Sequence, residues 1–277
     1  MSTTRIRSWT HRAEDSQGLP ETGSPSIALR YRGRPGGDGK CEDAALVLEL
    51  GPHSHLLAVA DGMGSGARAD DASATIVECL AKRAEALADE STSRLEILNA
   101  IEEANEQIRG WGVGAATTVV IARVDGEGYR TYHVGDSEAL VAGQRGKLKW
   151  QTVSHSPVGY AQASGLLDAH DAMVHEERHL VHSMLGMEGM RVDVGERRHF
   201  AMRDTLVLGS DGLFDNLELV EIVEIIRRGP LKKAADALLA RSLERMNRPE
   251  TEGPGKPDDI AFILYRPPFK PSGSQKK

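Results

Sequence analysis

The sequence predicts an α+β protein, a four-layer α-β-β-α sandwich in which two antiparallel sheets pack face to face and pairs of helices flank them. Three observations lead there. Strand-like apolar runs stand on both sides of one pair of amphipathic helical stretches. A second helical pair precedes the final strand, and the strand runs lack the regular strand-helix alternation of βαβ winding. With 277 residues, 40% hydrophobic and 27% charged, the chain has the length and balance of one large globular domain rather than a disordered one.

Residues 1–25 mix charge with turn formers and are expected to be a flexible leader, or an extra strand around residues 5–9. Residues 26–32 (SIALRYR) alternate as an antiparallel strand does, and the glycines and proline of residues 33–39 (GRPGGDG) then require a loop. Glu42 and Asp43 introduce the strand ALVLEL, Gly51 and Pro52 make a turn, and residues 55–60 form a strand that stops at Asp61-Gly62. The GMGSGAR segment that follows is a glycine-rich loop whose backbone can approach a ligand closely, so the carbonyl of Gly62 is a candidate metal ligand. Small and apolar residues at helical spacing predict helices over 70–88 and 94–109. Strands rich in Thr, Val and aromatic residues follow at 116–123, 128–134 and 138–142.

Between residues 154 and 186 the pattern weakens, which predicts an irregular, partly exposed segment with short helices. Its histidines (His155, His170, His175, His179 and His182) are irregularly spaced and are expected to be solvated rather than metal-bound. Strands return at 191–194, 199–202 and 205–209, amphipathic helices at 217–228 and 231–246, and the final strand follows a loop at 249–257. Residues 267–277 have a disordered composition, so the domain is expected to span 26–266.

Several of these strands place a carboxylate at one end: Asp61, Asp136, Asp211, Asp258 and the Glu42-Asp43 pair. An acid at the end of a buried strand needs compensation by hydrogen bonds or a metal. If the strands converge, the cluster repels itself unless cations enter, and oxygen-only ligands favour Mg2+ or Mn2+ over zinc. Such a centre binds an anionic substrate and prepares hydroxide for attack on phosphorus. The composition excludes other classes. A net charge of −7 without a basic block argues against nucleic acid as a partner. Cys41 and Cys79, the only cysteines, have no zinc or disulfide spacing and fit a reducing cytoplasm; Cys41, flanked by acids, is expected to be inert. No apolar stretch is long enough to cross a bilayer or to serve as a secretion signal, so no membrane partner is expected. The chain is expected to be a monomer.

The ordered set CEDA, ADGMGSG, ATT, GDS, SHS, SDGLFDN and DDIAFILY resembles the metal-dependent serine/threonine protein phosphatases, the PPM or type 2C family, of bacterial type. The resemblance covers about residues 26–266. It implies a β-sandwich flanked by helix pairs and hydrolysis of phosphoserine and phosphothreonine in proteins, the products of a Ser/Thr kinase. By motif, Asp61 bridges two Mn2+ or Mg2+ ions, Gly62 gives one of them a carbonyl, and Glu42, Asp211 and Asp258 complete the pair. Asp43 orients metal-bound water, and Asp136 pairs with Asp211 at a third, looser site. The catalytic residues implied are thus Asp43 and Asp61. The chain departs from the family at Cys41, Glu138, Ser154 and Asp259, has Met63 as bacterial members do where many animal enzymes have a histidine, and has Asp38 where a phosphate-binding arginine is common. Arg34 and Lys40 on the same loop are the candidate replacements for that anchor. The altered positions leave two alternatives: a catalytically weak domain of this type that binds phosphoproteins or regulators, or a partner-switch phosphatase acting on an anti-sigma antagonist.

Overall fold

Apolar runs as unbroken as residues 44–48 belong in strands buried on both faces. The structure, a computed structural model, describes residues 5–9, 26–37, 39–63, 68–248 and 255–268. The remainder of the expected leader and tail, Asp38, the 64–67 part of the glycine-rich loop and residues 249–254 lie outside the described residues.

In chain order the first elements are β1 (Arg5–Trp9), β2 (Ile27–Arg32), β3 (Asp43–Gly51) and β4 (Ser54–Met63). The helices α1 (Ala69–Lys82), α2 (Ala84–Ala88) and α3 (Glu90–Gly110) follow. Next come β5 (Ala116–Thr117), β6 (Val119–Val124), β7 (Gly128–Val134), β8 (Glu138–Ala142) and β9 (Leu148–Gln151). Two short helices, α4 (Pro157–Ala163) and α5 (Ala169–Val174), lead to β10 (Asp193–Val194), β11 (Arg198–His199) and β12 (Thr205–Gly209). The chain ends through α6 (Asp211–Phe214), α7 (Leu219–Ile226), α8 (Leu231–Asn247) and β13 (Ile260–Tyr265).

Among the described residues the strands form two antiparallel sheets. One runs β1-β3-β4-β6-β7-β10, with β5 on β4 and β11 on β7; the other runs β2-β13-β12-β8-β9. The two-residue period of a strand divides the core between layers. On β3, Ala44, Leu46 and Leu48 face α1 to α3, while Ala45 and Val47 face the other sheet. On β13, Ile260, Phe262 and Leu264 face α6 to α8, while Ala261, Ile263 and Tyr265 meet the first sheet. Three apolar clusters between four layers are the expected sandwich.

The differences are local. The helix expected over 70–88 breaks at Arg83, whose backbone leaves the helical range, and the next one starts earlier than expected because the Asp89 side chain caps Ser91. The strand β9 was not expected, since LKWQ is a short, part-exposed edge segment with little alternation to read. Residues 5–9, outside the main run of apolar strands, pair with β3 as an edge strand.

His55 gives the fold a pH dependence. Its ring is 8% exposed, packs 5.9 Å from that of Tyr265, and has an unpartnered Nδ1. Burial first, then the charges of His53 and Arg123, push its pKa down to about 4. A folded-state pKa below the unfolded value of about 6.5 means that stability is complete above the unfolded value and is lost as pH falls through the folded one. Between pH 7 and pH 4, urea unfolding is expected to show wild type losing about 3 kcal/mol more than His55→Phe, the size of a shift of this extent. Equal losses in the two proteins would mean that His55 is not held neutral.

Candidate metal centre

A cluster of carboxylates and one amine meet where strand ends from both sheets converge. Asp43 and Asp61 sit directly across from each other at the ends of β3 and β4. Both carboxylates are pushed well above the usual range, by burial first; nearby charges add to this, mainly Asp259, Asp211 and Asp258 for Asp43 and mainly Asp211 and Asp43 for Asp61. The Asp61 carbonyl accepts from the Thr118 amide at 2.9 Å and from Thr117 Oγ1 at 2.8 Å, and Thr118 Oγ1 lies 2.7 Å from Ser137 Oγ. The ATT and GDS motifs therefore build the wall behind Asp61.

Asp211 is delivered from the other sheet. Strand β12 ends at Gly209, and Ser210 then bonds across to both neighbours: its amide donates to the Ala261 carbonyl at 3.0 Å and its Oγ to Asp43 Oδ2 at 2.6 Å. Asp211 follows as the first residue of α6. Asp258 precedes β13 and is pushed up to about 6 by burial and by Asp211, against the opposing charge of Lys256. Asp259, where the family pattern has Asn, is a strap: Oδ1 accepts from the Arg34 amide at 2.7 Å and Oδ2 from the Glu42 amide. It ties the glycine-rich loop before β3 to the start of β13.

Two cavities share Asp211. One, of about 280 Å³, is lined by Glu42, Asp61, Gly62, Met63, Asp211, Lys256 and Asp258. The other, of about 380 Å³, runs under α4 and α5 and has Asp136, Glu138, Asp211 and Asp215 on its wall. The expected ligands Glu42, Asp61, Gly62, Asp211 and Asp258 thus share the first cavity. Asp136 faces the second and meets the cluster through Asp211. Asp43 lies behind, 1% exposed. Arg34 and Lys40 are exposed and line neither cavity.

Two residues of the cluster escaped sequence reasoning. Asp215 is one helical turn after Asp211, a spacing that was readable, and burial followed by the Asp211 charge lifts its pKa to about 7. Lys256 puts Nζ 2.5 Å from Asp211 Oδ2, 2.8 Å from Asp258 Oδ2 and 3.4 Å from Asp215 Oδ2. Burial opposes its charge, but these three carboxylates outweigh it and raise its pKa above the usual lysine range. Cys41 is buried beside the cluster, and burial, Asp43 and Asp259 push its thiol up, in line with an inert side chain.

The histidines need one correction. His170, His179 and His182 are exposed and His175 is partly so, but His155 is fully buried, because its backbone bonds tie the segment to Gly135. With His133 and Asp193 it forms a second group whose ligand atoms lie within 4.8 Å of one another. Hydrogen bonding decides its character. His155 Nδ1 accepts from the Gly135 amide at 3.2 Å, so a neutral ring carries its proton on Nε2, 3.4 Å from Asp193 Oδ2. A protonated nitrogen cannot ligate a cation, and the trio is better suited to bracing the loop that presents Asp136.

The donor set of the main cluster fits hard divalent cations. It offers oxygens alone, it is self-repelling, and Oδ1 of both Asp43 and Asp136 is buried without a hydrogen-bond partner. The family model for protein phosphatase 2C matches residues 36–250. The serine/threonine phosphatases stp of Listeria welshimeri and Listeria monocytogenes are each 30% identical over 212 residues, which is 73% of this chain and 83% of theirs. Among solved structures, the PPM Ser-Thr phosphatase MsPP from Mycobacterium smegmatis in complex with cacodylate is 25% identical, with a TM-score of 0.71 over 87% of this chain and 97% of that one. Serine/threonine phosphatase Stp1 from Staphylococcus aureus is 25% identical, with a TM-score of 0.74 over 87% and 94%.

Proposed function

This chain belongs to the protein phosphatase 2C family, and on that premise we propose that it is a metal-dependent phosphatase of phosphoserine and phosphothreonine in proteins. The observation that carries the reading is the convergence of Glu42, Asp61, Asp211 and Asp258 on one cavity, with Asp43 behind and Asp136 alongside. Glu42, Asp61, the Gly62 carbonyl, Asp211 and Asp258 would hold two Mn2+ or Mg2+ ions, and Asp136 with Asp211 a third, looser one. When bound, the ions supply positive charge to phosphoryl oxygens and a hydroxide nucleophile near neutral pH.

The chain's own groups do the rest. Asp43 accepts from Ser210 through Oδ2 and keeps Oδ1 to take the proton of the attacking water and so orient it. The Thr117 and Thr118 bonds hold Asp61 in place while the charge around it changes. Met63 beside Gly62 brings no acid to the cavity, and on this reading the leaving alkoxide takes its proton from water. The glycine-rich loop, strapped by Asp259, presents Arg34 and Lys40 as anchors for the phosphate.

On this reading the substrates are phosphorylated proteins made by a Ser/Thr kinase, and the chain acts in signal transduction as a cytoplasmic monomer. Support for that compartment comes from two free, buried cysteines. Among the described residues no helix is long and apolar enough to cross a membrane.

The test is hydrolysis of a phosphothreonine peptide with added Mn2+, which a chelator must stop; activity that survives full chelation overturns the metal-centre reading. The same assay on Arg34→Ala and Lys40→Ala locates the anchor. Loss of a charge-assisted contact to phosphate is expected to lower kcat/KM about tenfold to a hundredfold in one of them. If neither falls even threefold, the loop holds no phosphate.

A further inference from the structure

Lys256 is not a surface lysine that happens to lie near an acid. Its backbone is clasped on both sides by the amide of the fully buried Asn216: Nδ2 donates to the Lys256 carbonyl at 3.0 Å, and the Lys256 amide donates to Oδ1 at 2.9 Å. The same Nδ2 also bonds the Gly212 carbonyl at 3.0 Å, which fixes the clasp to the helix that starts with Asp211. From that pinned position the ammonium meets three carboxylate oxygens, as many as it has donors. It is the one cationic side chain among the described residues lining the smaller cavity.

The contact uses oxygens that a metal needs. Asp258 Oδ1 accepts from the Asp259 amide at 3.0 Å, and its Oδ2 is the atom that Lys256 holds. A divalent ion at the Asp211–Asp258 end would stand beside a unit positive charge in a half-buried cavity, where like charges repel far more than in water. The two cations cannot share those oxygens at full strength.

Resting on the metal-centre reading above, we propose that Lys256 is a built-in competitor of the divalent cation at the Asp211–Asp258 end of the cluster. Without metal it neutralises the carboxylates and holds them together; when metal enters, the ammonium leaves those oxygens. The chain therefore carries its own counter-ion, and metal affinity at this end is set by how firmly Asn216 holds Lys256 in place. The effect on the metal-free protein is opposite in sign to that on metal binding, which separates competition from ordinary support of the site.

Calorimetric titration of the full chain with Mn2+, comparing wild type with Lys256→Gln and Lys256→Arg, decides the matter. In Lys256→Gln one Mn2+ is expected to bind about tenfold to a hundredfold more tightly, the range of a charge-assisted hydrogen bond lost by the competitor. The metal-free variant is expected to melt at a lower temperature than wild type, because its carboxylates lose their counter-ion. Lys256→Arg, which keeps the charge, is expected to stay within threefold of wild type in affinity. If the metal-free Lys256→Gln is too unstable to titrate, the Mn2+ concentration that restores the wild-type circular dichroism, corrected for the unfolding equilibrium of the metal-free variant, gives the intrinsic constant. Unchanged or weaker Mn2+ binding in Lys256→Gln overturns the proposal, and so does equal tightening in Lys256→Arg. If wild type and all variants fail to bind Mn2+, it is the metal-centre reading that falls.

Discussion

Asp61→Asn is expected to abolish metal-dependent phosphopeptide hydrolysis while making the metal-free protein more stable. Asparagine keeps the shape of the side chain, and the backbone stays fixed by Thr117 and Thr118, so the change is one of charge. The surroundings of Asp61 disfavour its charged form: burial and then the charges of Asp211, Asp43, Asp258 and Asp136 raise its pKa. Removing that charge relieves repulsion in the metal-free fold, so its melting temperature near pH 7 is expected to rise. The stabilisation that Mn2+ gives wild type is expected to disappear, since it requires binding to the folded state. Loss of a group next to a ligand already costs about tenfold to a hundredfold in metalloenzymes, so loss of a carboxylate proposed as a direct ligand should lower kcat/KM by about a thousandfold or more. The measurements are phosphopeptide kinetics under saturating Mn2+ and melting with and without metal. Near-wild-type turnover would remove Asp61 from the centre.

Gly212→Ala is expected to damage the same centre without touching a carboxylate. A Cβ on Gly212 would lie 1.8 Å from the Asp259 carbonyl oxygen and 2.9 Å from its carbon. Both are backbone atoms at the start of β13, so no flexible side chain can give way. The helix that begins with Asp211 must move off the strand that begins after Asp259, and the carboxylates of Asp211 and Asp258 separate. Overpacking of this kind costs about 1–3 kcal/mol and more where backbone must shift. The urea midpoint in chelator is expected to fall accordingly, and Mn2+ affinity to fall with it. Gly110→Ala is the control, because a Cβ there meets nothing within 4 Å. If Gly212→Ala matches the control in both stability and Mn2+ affinity, the Asp-Gly spacing is a turn without a role in the site.

The two glycines that follow Asp61 and Asp211 show how much a motif says and where it stops. Asp-Gly after an apolar run is visible in the sequence, and the period-2 burial of strands such as β3 and β13 follows from their composition. Which atoms the glycines make room for is not visible: Gly62 lets the Ala69 and Glu42 carbonyls approach, and Gly212 that of Asp259. The sandwich was legible because patterning, turn residues and carboxylates at strand ends are local features, each readable within about ten residues. The expected carboxylates could be picked out because each stands at the end of an apolar run.

The pairings between those strands were decided by packing alone. Asp211 and Lys256 are 45 positions apart, and Asp43 and Ser210 are 167 apart. Nothing local marks Lys256 as different from other lysines of a polar loop; Asn216 makes it so by seizing its backbone from the turn after α6. His155 reads as one of several solvated histidines until the Gly135 loop closes over it, and Asp259 reads only as a departure from the family pattern until both its oxygens are taken by amides of a loop more than two hundred residues earlier. Local sequence sets which groups carry charge and which strand end presents them. The compensation of a buried charge depends on atoms brought within about 3 Å by distant parts of the chain, and only the tertiary structure supplies that distance.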